Sequence, residues 1–303
     1  MLDFIGDVHG HADRLESLLN KLGYLFNGQA YAHPKRKAFF VGDYIDSGPK
    51  IRETLNLVKN MVDGDHAIAL MGIHEYNALC FHNKETEGGH IRKHLIDNII
   101  QHFETLKQFQ NRQEEYEDYL DWFKTLPLFF ETIQFRAVHA CWDIESIRLL
   151  REKLKDNRLT DDLIAESVKK GSKLNGAINI VLKGMEIKMP NGHSFIDKDG
   201  TRRTDIRIKW WEDPAMKNYK NISIESLDNL PETIIDDLLL KGFKHYPGED
   251  IPVFFGQYGL KGSPLLYMKN ICCLDYSVAK QGHLVAYRFD GERRLEGSRF
   301  VYV

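Results

Sequence analysis

Short apolar runs that stop at a small residue, and are followed at once by an aspartate, histidine or amide, constrain this chain most. Leu2 to Ile5 lead through Gly6 to Asp7, Val8 and His9, and Val41-Gly42 precede Asp43 and Asp46. Met71-Gly72 precede Ile73, His74 and Glu75; Val138 runs straight into His139, and Phe255-Gly256 into Gln257. Between the first runs the apolar period is helical. Ala12, Leu15, Leu18, Leu19 and Leu22 share one face, and Ile51, Leu55, Val58 and Met61 another, with Pro49 placed to open the second helix. Strands separated by helices predict parallel βαβ units, whose carboxyl ends open into one crevice. The Asp, His and Gln side chains should therefore converge there. Any one of them alone reads as a turn aspartate, a helix cap or a surface histidine; five at successive strand ends read as a site. Carboxylates and imidazoles without a thiolate favour manganese, with iron or zinc as alternatives, over a structural zinc centre.

The remainder of the chain has a different rhythm. Residues 85–123 are helical in pattern and highly charged, and Phe135 to Val138 return to strand character. From about 144 to 247 the alternation breaks, which predicts an inserted cap of helices and a hairpin within one domain spanning 1–303. Asp197-Lys198-Asp199-Gly200 is the expected hairpin turn. In the following run, Thr204 to Trp211, Ile206, Ile208 and Trp210 alternate with Asp205, Arg207 and Lys209. Trp210-Trp211 reads as packing within the cap. Strands resume at Pro252 to Phe255, Ile271 to Leu274 and His283 to Phe289.

Charge and composition bound the partners. A net charge of −3 argues against a binder of duplex nucleic acid or of membrane surfaces. No apolar run approaches the ~20 residues that span a bilayer. Met1 to Phe4 lack the basic start of a secretion signal, and the four cysteines form no knuckle or disulfide pattern, so the cytoplasm is the expected compartment.

Taken in order, Gly6-Asp7-Val8-His9-Gly10, Gly42-Asp43-Tyr44-Ile45-Asp46-Ser47-Gly48, Gly72-Ile73-His74-Glu75, Val138-His139-Ala140 and Gly256-Gln257 resemble the five motifs of the calcineurin-like metallophosphoesterases. The branch most similar contains bacterial serine/threonine-phosphatase-like proteins and diadenosine tetraphosphatases. The resemblance implies an α/β fold, a mixed β-sandwich flanked by helices, and hydrolysis of a phosphate ester by metal-activated hydroxide. It implies one or two divalent ions, with Asp7 and His9 on the first, Asp43 bridging both, and His139 on the second. His74 would be the general acid, oriented by Asp46.

Three positions depart from the motifs. Ile73 stands where the family has an asparagine ligand, Gln257 where it has a histidine ligand, and Ser47 where an arginine clamps the phosphate. Isoleucine offers no lone pair, and a glutamine oxygen is a poor substitute for imidazole on a transition metal. The second metal site is thereby weakened, and Arg207 becomes a candidate for the missing phosphate contact beside Ser47. A non-catalytic phosphate-binding protein on the same scaffold is the rival reading. A scaffold role for the charged helices of 85–123 is a third.

Overall fold

A computed structural model describes residues 1–84, 88–190, 192–196, 202–224 and 230–303. The expected turn Asp197–Gly200 lies outside them. Two sheets face one another. In the first, Leu2–Ile5 pairs in parallel with Lys37–Phe40, which pairs in parallel with Ala67–Ala69. On its other edge Leu2–Ile5 runs antiparallel to His283–Phe289, which also carries Asp275–Tyr276 and Phe300–Tyr302. The second sheet orders Ile271–Cys273, Val253–Phe255, Arg136–Val138 and Phe129–Glu131, the first three mutually parallel. The sheet is mixed, as expected, and the five runs singled out above end on parallel strands or on the residues just after them.

Aromatic rings fill the space between the sheets. Phe4 lies flat on Phe254, with centroids 3.7 Å apart, and Phe135 packs edge-on against both Phe4 and Phe39. Such pairs add roughly 0.5–1.5 kcal/mol each beyond the area they bury. Helix Ala12–Leu22 buries the predicted face of Ala12, Leu15, Leu18, Leu19 and Leu22, and helix Ile51–Asp63 buries Ile51, Leu55, Val58 and Met61. Pro49 sits two residues ahead of that helix, outside its first turn.

The charged stretch supplies two helices, Ile96–Gln108 and Gln113–Lys124. Helices Ile144–Lys153 and Lys173–Lys183 pack into the main core through Ile147, Leu150, Ile178 and Val181. A second, smaller core gathers Ile187, Phe195, Ile206, Ile208, Tyr219 and Ile222. Around it Asp205–Arg207 pairs antiparallel with Glu186–Lys188, and Arg202–Arg203 with Phe195–Ile196. The strand is thus shorter than the run Thr204 to Trp211. Past Arg207 the chain turns its side chains inward: Trp210 and Trp211 are both buried and both lie against Phe255 of the second sheet, at 5.1 and 5.5 Å. The tryptophan pair therefore seals this segment to the strand that leads into Gly256, instead of packing within a separate cap core. No helix among the described residues is long and apolar enough to cross a membrane.

Candidate active site

The loops after the parallel strands bring Asp7, His9, Asp43, His74, His139 and Gln257 together. Asp43 is the centre. Its Oδ1 accepts the backbone N–H of His74 at 3.0 Å, while its Oδ2 is buried with no hydrogen-bond donor. Around that oxygen stand the Nε2 atoms of His139, His9 and His74, at 3.3, 3.8 and 3.9 Å. Asp7 repeats the pattern: Oδ2 accepts the backbone N–H of Gln257 at 2.9 Å, and Oδ1 is buried without a donor. Two groupings result, His9–Asp43–His74 and Asp7–Asp43–His139. His74 thus stands closer to His9 and Asp43 than the sequence assignment of Asp7 and His9 to one ion anticipates.

The imidazoles are oriented from behind. His139 Nδ1 donates to the Val41 carbonyl at 2.8 Å and His9 Nδ1 to the Ile45 carbonyl at 3.1 Å, so each Nε2 faces Asp43. A carbonyl on the far nitrogen is the usual support for a metal-binding histidine. Gln257 Oε1 lies 3.1 Å from His139 Nε2. One orphaned oxygen on each of two buried carboxylates, with imidazole nitrogens aimed at one of them, fits a divalent cation.

Glu75 holds the frame, and no pattern in the sequence marked its role. Its buried carboxylate accepts the backbone N–H groups of Gly72 and Asp43 at 2.9 Å each and of Tyr44 at 2.7 Å. It caps helix Ile73–His82 and ties that helix to the Asp43 loop. The glycines before the site residues have a steric reason. A Cβ at Gly256 would sit 1.9 Å from Asp7 Oδ1, and one at Gly72 would sit 2.2 Å from Asp43 Oδ1. The site residues themselves bend: His9, Asp43, Asp46 and Gln257 have φ of 47, 57, 82 and 69°. Each such conformation costs of order 1–3 kcal/mol and is held by its surroundings.

Beside the centre, His74 Nδ1 meets Asp46 Oδ2 at 2.6 Å. Burial opposes charge on His74, but Asp43 and the Asp46 bond outweigh it and raise its pKa to about 9. Burial likewise opposes ionisation of Asp46, yet its bonds to His102 and His74 hold it well below the carboxylate range. Asp43 is held low in the same way by His139 and His74 against its burial. Asp7 goes the other way: burial, then Asp275, push it well up.

The departing positions are accounted for individually. Ile73 is buried in the main core at the start of its helix, and Ser47 is exposed on the loop beyond Asp46. Arg207 is half-buried; its Nη1 donates to the Gln257 carbonyl at 2.8 Å and its guanidinium lies over the Tyr258 ring at 5.4 Å. Arg207 is therefore attached to the site loop.

The calcineurin-like phosphoesterase profile matches residues 2–256, a span that takes in Asp7, His9, Asp43, Asp46, His74 and His139 and stops just before Gln257. The chain belongs to the calcineurin-like phosphoesterase family. Among curated proteins it is 45% identical over 73 residues to the bis(5'-nucleosyl)-tetraphosphatase PrpE of Halalkalibacterium halodurans. It is 42% identical over 74 residues to the protein of the same name from Oceanobacillus iheyensis. Each match covers 24% of this chain and 30% of the relative, so the kinship is local to a minor part of both. A protein serine/threonine phosphatase from Saccharomyces cerevisiae, described as similar to human phosphatase PP5, superposes over 100% of this chain and 78% of its own, with a TM-score of 0.50 and 13% identity. That likeness is one of fold.

One group near the family site has a separate pH consequence. His82, at the end of the helix that begins with Ile73, has a buried Nε2 with no partner and packs edge-on to Tyr116 at 5.0 Å. Burial, then His102, His94 and His90, push its pKa from 6.5 down to about 4. The unfolded chain therefore binds the extra proton between those values. The contribution to stability is complete above the unfolded value and is lost as pH falls towards the folded one. It should amount to something on the order of 1–3 kcal/mol. Thermal unfolding followed from about pH 7 to about 4.5 should show a shallower loss for His82→Phe than for the parent; parallel curves would refute the assignment.

Proposed function

We propose that this chain is a metal-dependent phosphohydrolase. Phosphomonoesters, phosphoproteins and dinucleoside polyphosphates are its candidate substrates, and the cytoplasm is its proposed compartment. The observation that carries the reading is the orphaned Oδ2 of Asp43 among three imidazoles, with the 2.6 Å His74–Asp46 pair alongside. Asp7, His9 and Asp43 would hold a first divalent ion, manganese ahead of iron or zinc. Asp43, His139 and Gln257 would hold a second, weaker one. Such ions, when bound, act as Lewis acids on phosphoryl oxygens and lower the pKa of water.

The protein's own groups do the rest. Asp46 fixes the His74 ring through Nδ1, which leaves Nε2 on the Asp43 side, free to deliver a proton to the departing oxygen. Residues 144–247 serve as an inserted cap, a reading supported by the smaller second core and by the bond from Arg207 to the Gln257 carbonyl. Arg207 contributes a phosphate contact, with Ser47 as a weak polar neighbour. A charge-assisted bond to phosphate is worth roughly 1.5–3 kcal/mol. Arg207→Ala should accordingly raise KM for a phosphomonoester about tenfold or more, with kcat less affected; unchanged steady-state constants would leave Arg207 a structural strut.

A phosphate-binding protein without turnover is the second reading, favoured by the buried, donor-free side chain of Ile73. Metal analysis of purified protein, followed by manganese-supplemented assays on an aryl phosphate and on diadenosine tetraphosphate, separates the two. Turnover of either ester supports the hydrolase. Stoichiometric metal with tight phosphate binding and no turnover supports the binder.

A further inference from the structure

The charged helical stretch reaches into the site. Helix Ile96–Gln108 carries His102 and Thr105 one turn apart, and both are buried against Asp46. While Asp46 Oδ2 meets His74, its Oδ1 accepts from His102 Nδ1 and from the Thr105 hydroxyl, each at 2.6 Å. The backbone N–H of Asp46 donates to the same Thr105 oxygen at 3.1 Å. Behind them, the Tyr116 hydroxyl lies 2.8 Å from His102 Nε2. The Asp46 carboxylate can only accept, so His102 Nδ1 is the donor to it. Nδ1–H is thereby aimed at Asp46, with the Tyr116 hydroxyl holding the far side of the ring.

The consequence is mechanical. Rotation of an aspartate carboxyl about its last torsion is soft. A donor on Oδ2 alone would leave Asp46, whose backbone is already in the left-handed region, free to swing. Donors on both oxygens fix the plane, and with it the ring of His74 (an arrangement of a kind that supports other catalytic and metal-binding histidines).

We propose that His102 and Thr105 are positioning residues of the phosphohydrolase, orienting the Asp46 carboxylate so that His74 presents its proton to the leaving oxygen. Helix Ile96–Gln108 thereby acts on the reaction through Asp46. The inference rests on the reading of His74 as the acid, and its test separates failure of the one from failure of the other.

The test compares His102→Ala, His102→Asn and Thr105→Val with the parent on two esters, 4-nitrophenyl phosphate and an alkyl phosphate. Asparagine keeps an N–H close to the position of Nδ1, whereas alanine removes it. Supporting residues of this kind are worth about 10–100-fold. His102→Ala should therefore lose about that much in kcat on the alkyl ester, whose leaving group needs the acid, with KM nearly unchanged and a smaller loss on the nitrophenyl ester. Thr105→Val should follow the same pattern, and His102→Asn should recover most of the loss. Equal losses on both esters, a change in KM alone, or an asparagine variant as poor as alanine would overturn the proposal. Proton NMR of the imidazole N–H groups provides a readout that needs no turnover. The downfield signal of the His74–Asp46 bond should weaken or move in His102→Ala and persist in His102→Asn. An unmoved signal would overturn the positioning role even in an active enzyme. A parent that hydrolyses neither these esters nor diadenosine tetraphosphate, with manganese supplied, would refute the phosphohydrolase reading, and the NMR comparison would still decide the geometry.

Discussion

Asp43→Asn should lower kcat on a phosphomonoester by at least about a hundredfold, and should strip most of the bound metal. Loss of groups that merely support a ligand costs 10–100-fold, and Asp43 is placed to be the shared ligand itself. Its charge faces three imidazole nitrogens through Oδ2, and an amide there brings either a neutral oxygen or an N–H into the space a cation would occupy. The fold should survive the change. Glu75 bonds the backbone N–H of residue 43, not its side chain, and the amide oxygen of asparagine can still accept from the His74 N–H. Circular dichroism should therefore match the parent while elemental analysis and turnover both collapse. Activity within about tenfold of the parent, in folded protein, would show that the chemistry lies elsewhere.

The second large effect is a gain. Calorimetric titration of the parent with manganese should show one tight site, because Ile73 offers no donor and Gln257 only an amide. Ile73→Asn with Gln257→His should create a second tight site and raise turnover at least tenfold, about 1.4 kcal/mol on the barrier. The backbone at residue 257, with φ of 69°, is one that histidine adopts more readily than most side chains. The two changes should be strongly non-additive, since both act on one ion. Ile73 is 4% exposed and belongs to the main core, so some stability is lost when a polar group takes its place. Adding Ser47→Arg, on an exposed loop, supplies a bidentate phosphate partner. His74→Ala in that background should erase most of the gain. Two equally tight sites in the parent would refute the weakened-site account. A restored protein that binds two ions without added turnover would favour the phosphate binder.

The parts of this centre that could be read from the sequence are those with a local signature. Each ligand-type residue follows a strand or a Gly within a few positions, so the end of an apolar run marks it. The five loops meet because the strands that precede them are parallel, which the intervening helices required. Glu75 was visible as a letter in a motif, but two of its three backbone bonds, to Asp43 and Tyr44, depend on the approach of segments more than thirty residues apart. His102 and Thr105 left a fainter trace: two polar residues one turn apart in a helix that also carries Ile99, Ile100 and Phe103. Only the packing of that helix onto the Asp46 loop distinguishes them from solvated neighbours, and packing between distant segments leaves no periodicity. The tryptophan pair illustrates the same limit. Alternation placed Trp210 on a buried face, while the partner of both rings, Phe255, lies far along the chain.

The hydrogen bond from Gln257 to Asp7 joins residues 250 positions apart, and the strand that begins at Leu2 is paired on one side by residues 283–289. The candidate ligands Asp7 and His9 thus follow a strand whose antiparallel neighbour lies far along the chain. Long-range pairing of this kind folds slowly, because loop closure must precede the contacts that reward it. Until residues near 257 and 283–289 are in place, the loop of Asp7 and His9 follows a strand with an open edge, exposed to wrong partners. A cation shared by Asp7, Asp43 and His139 would therefore find its ligands together only after these distant segments have paired.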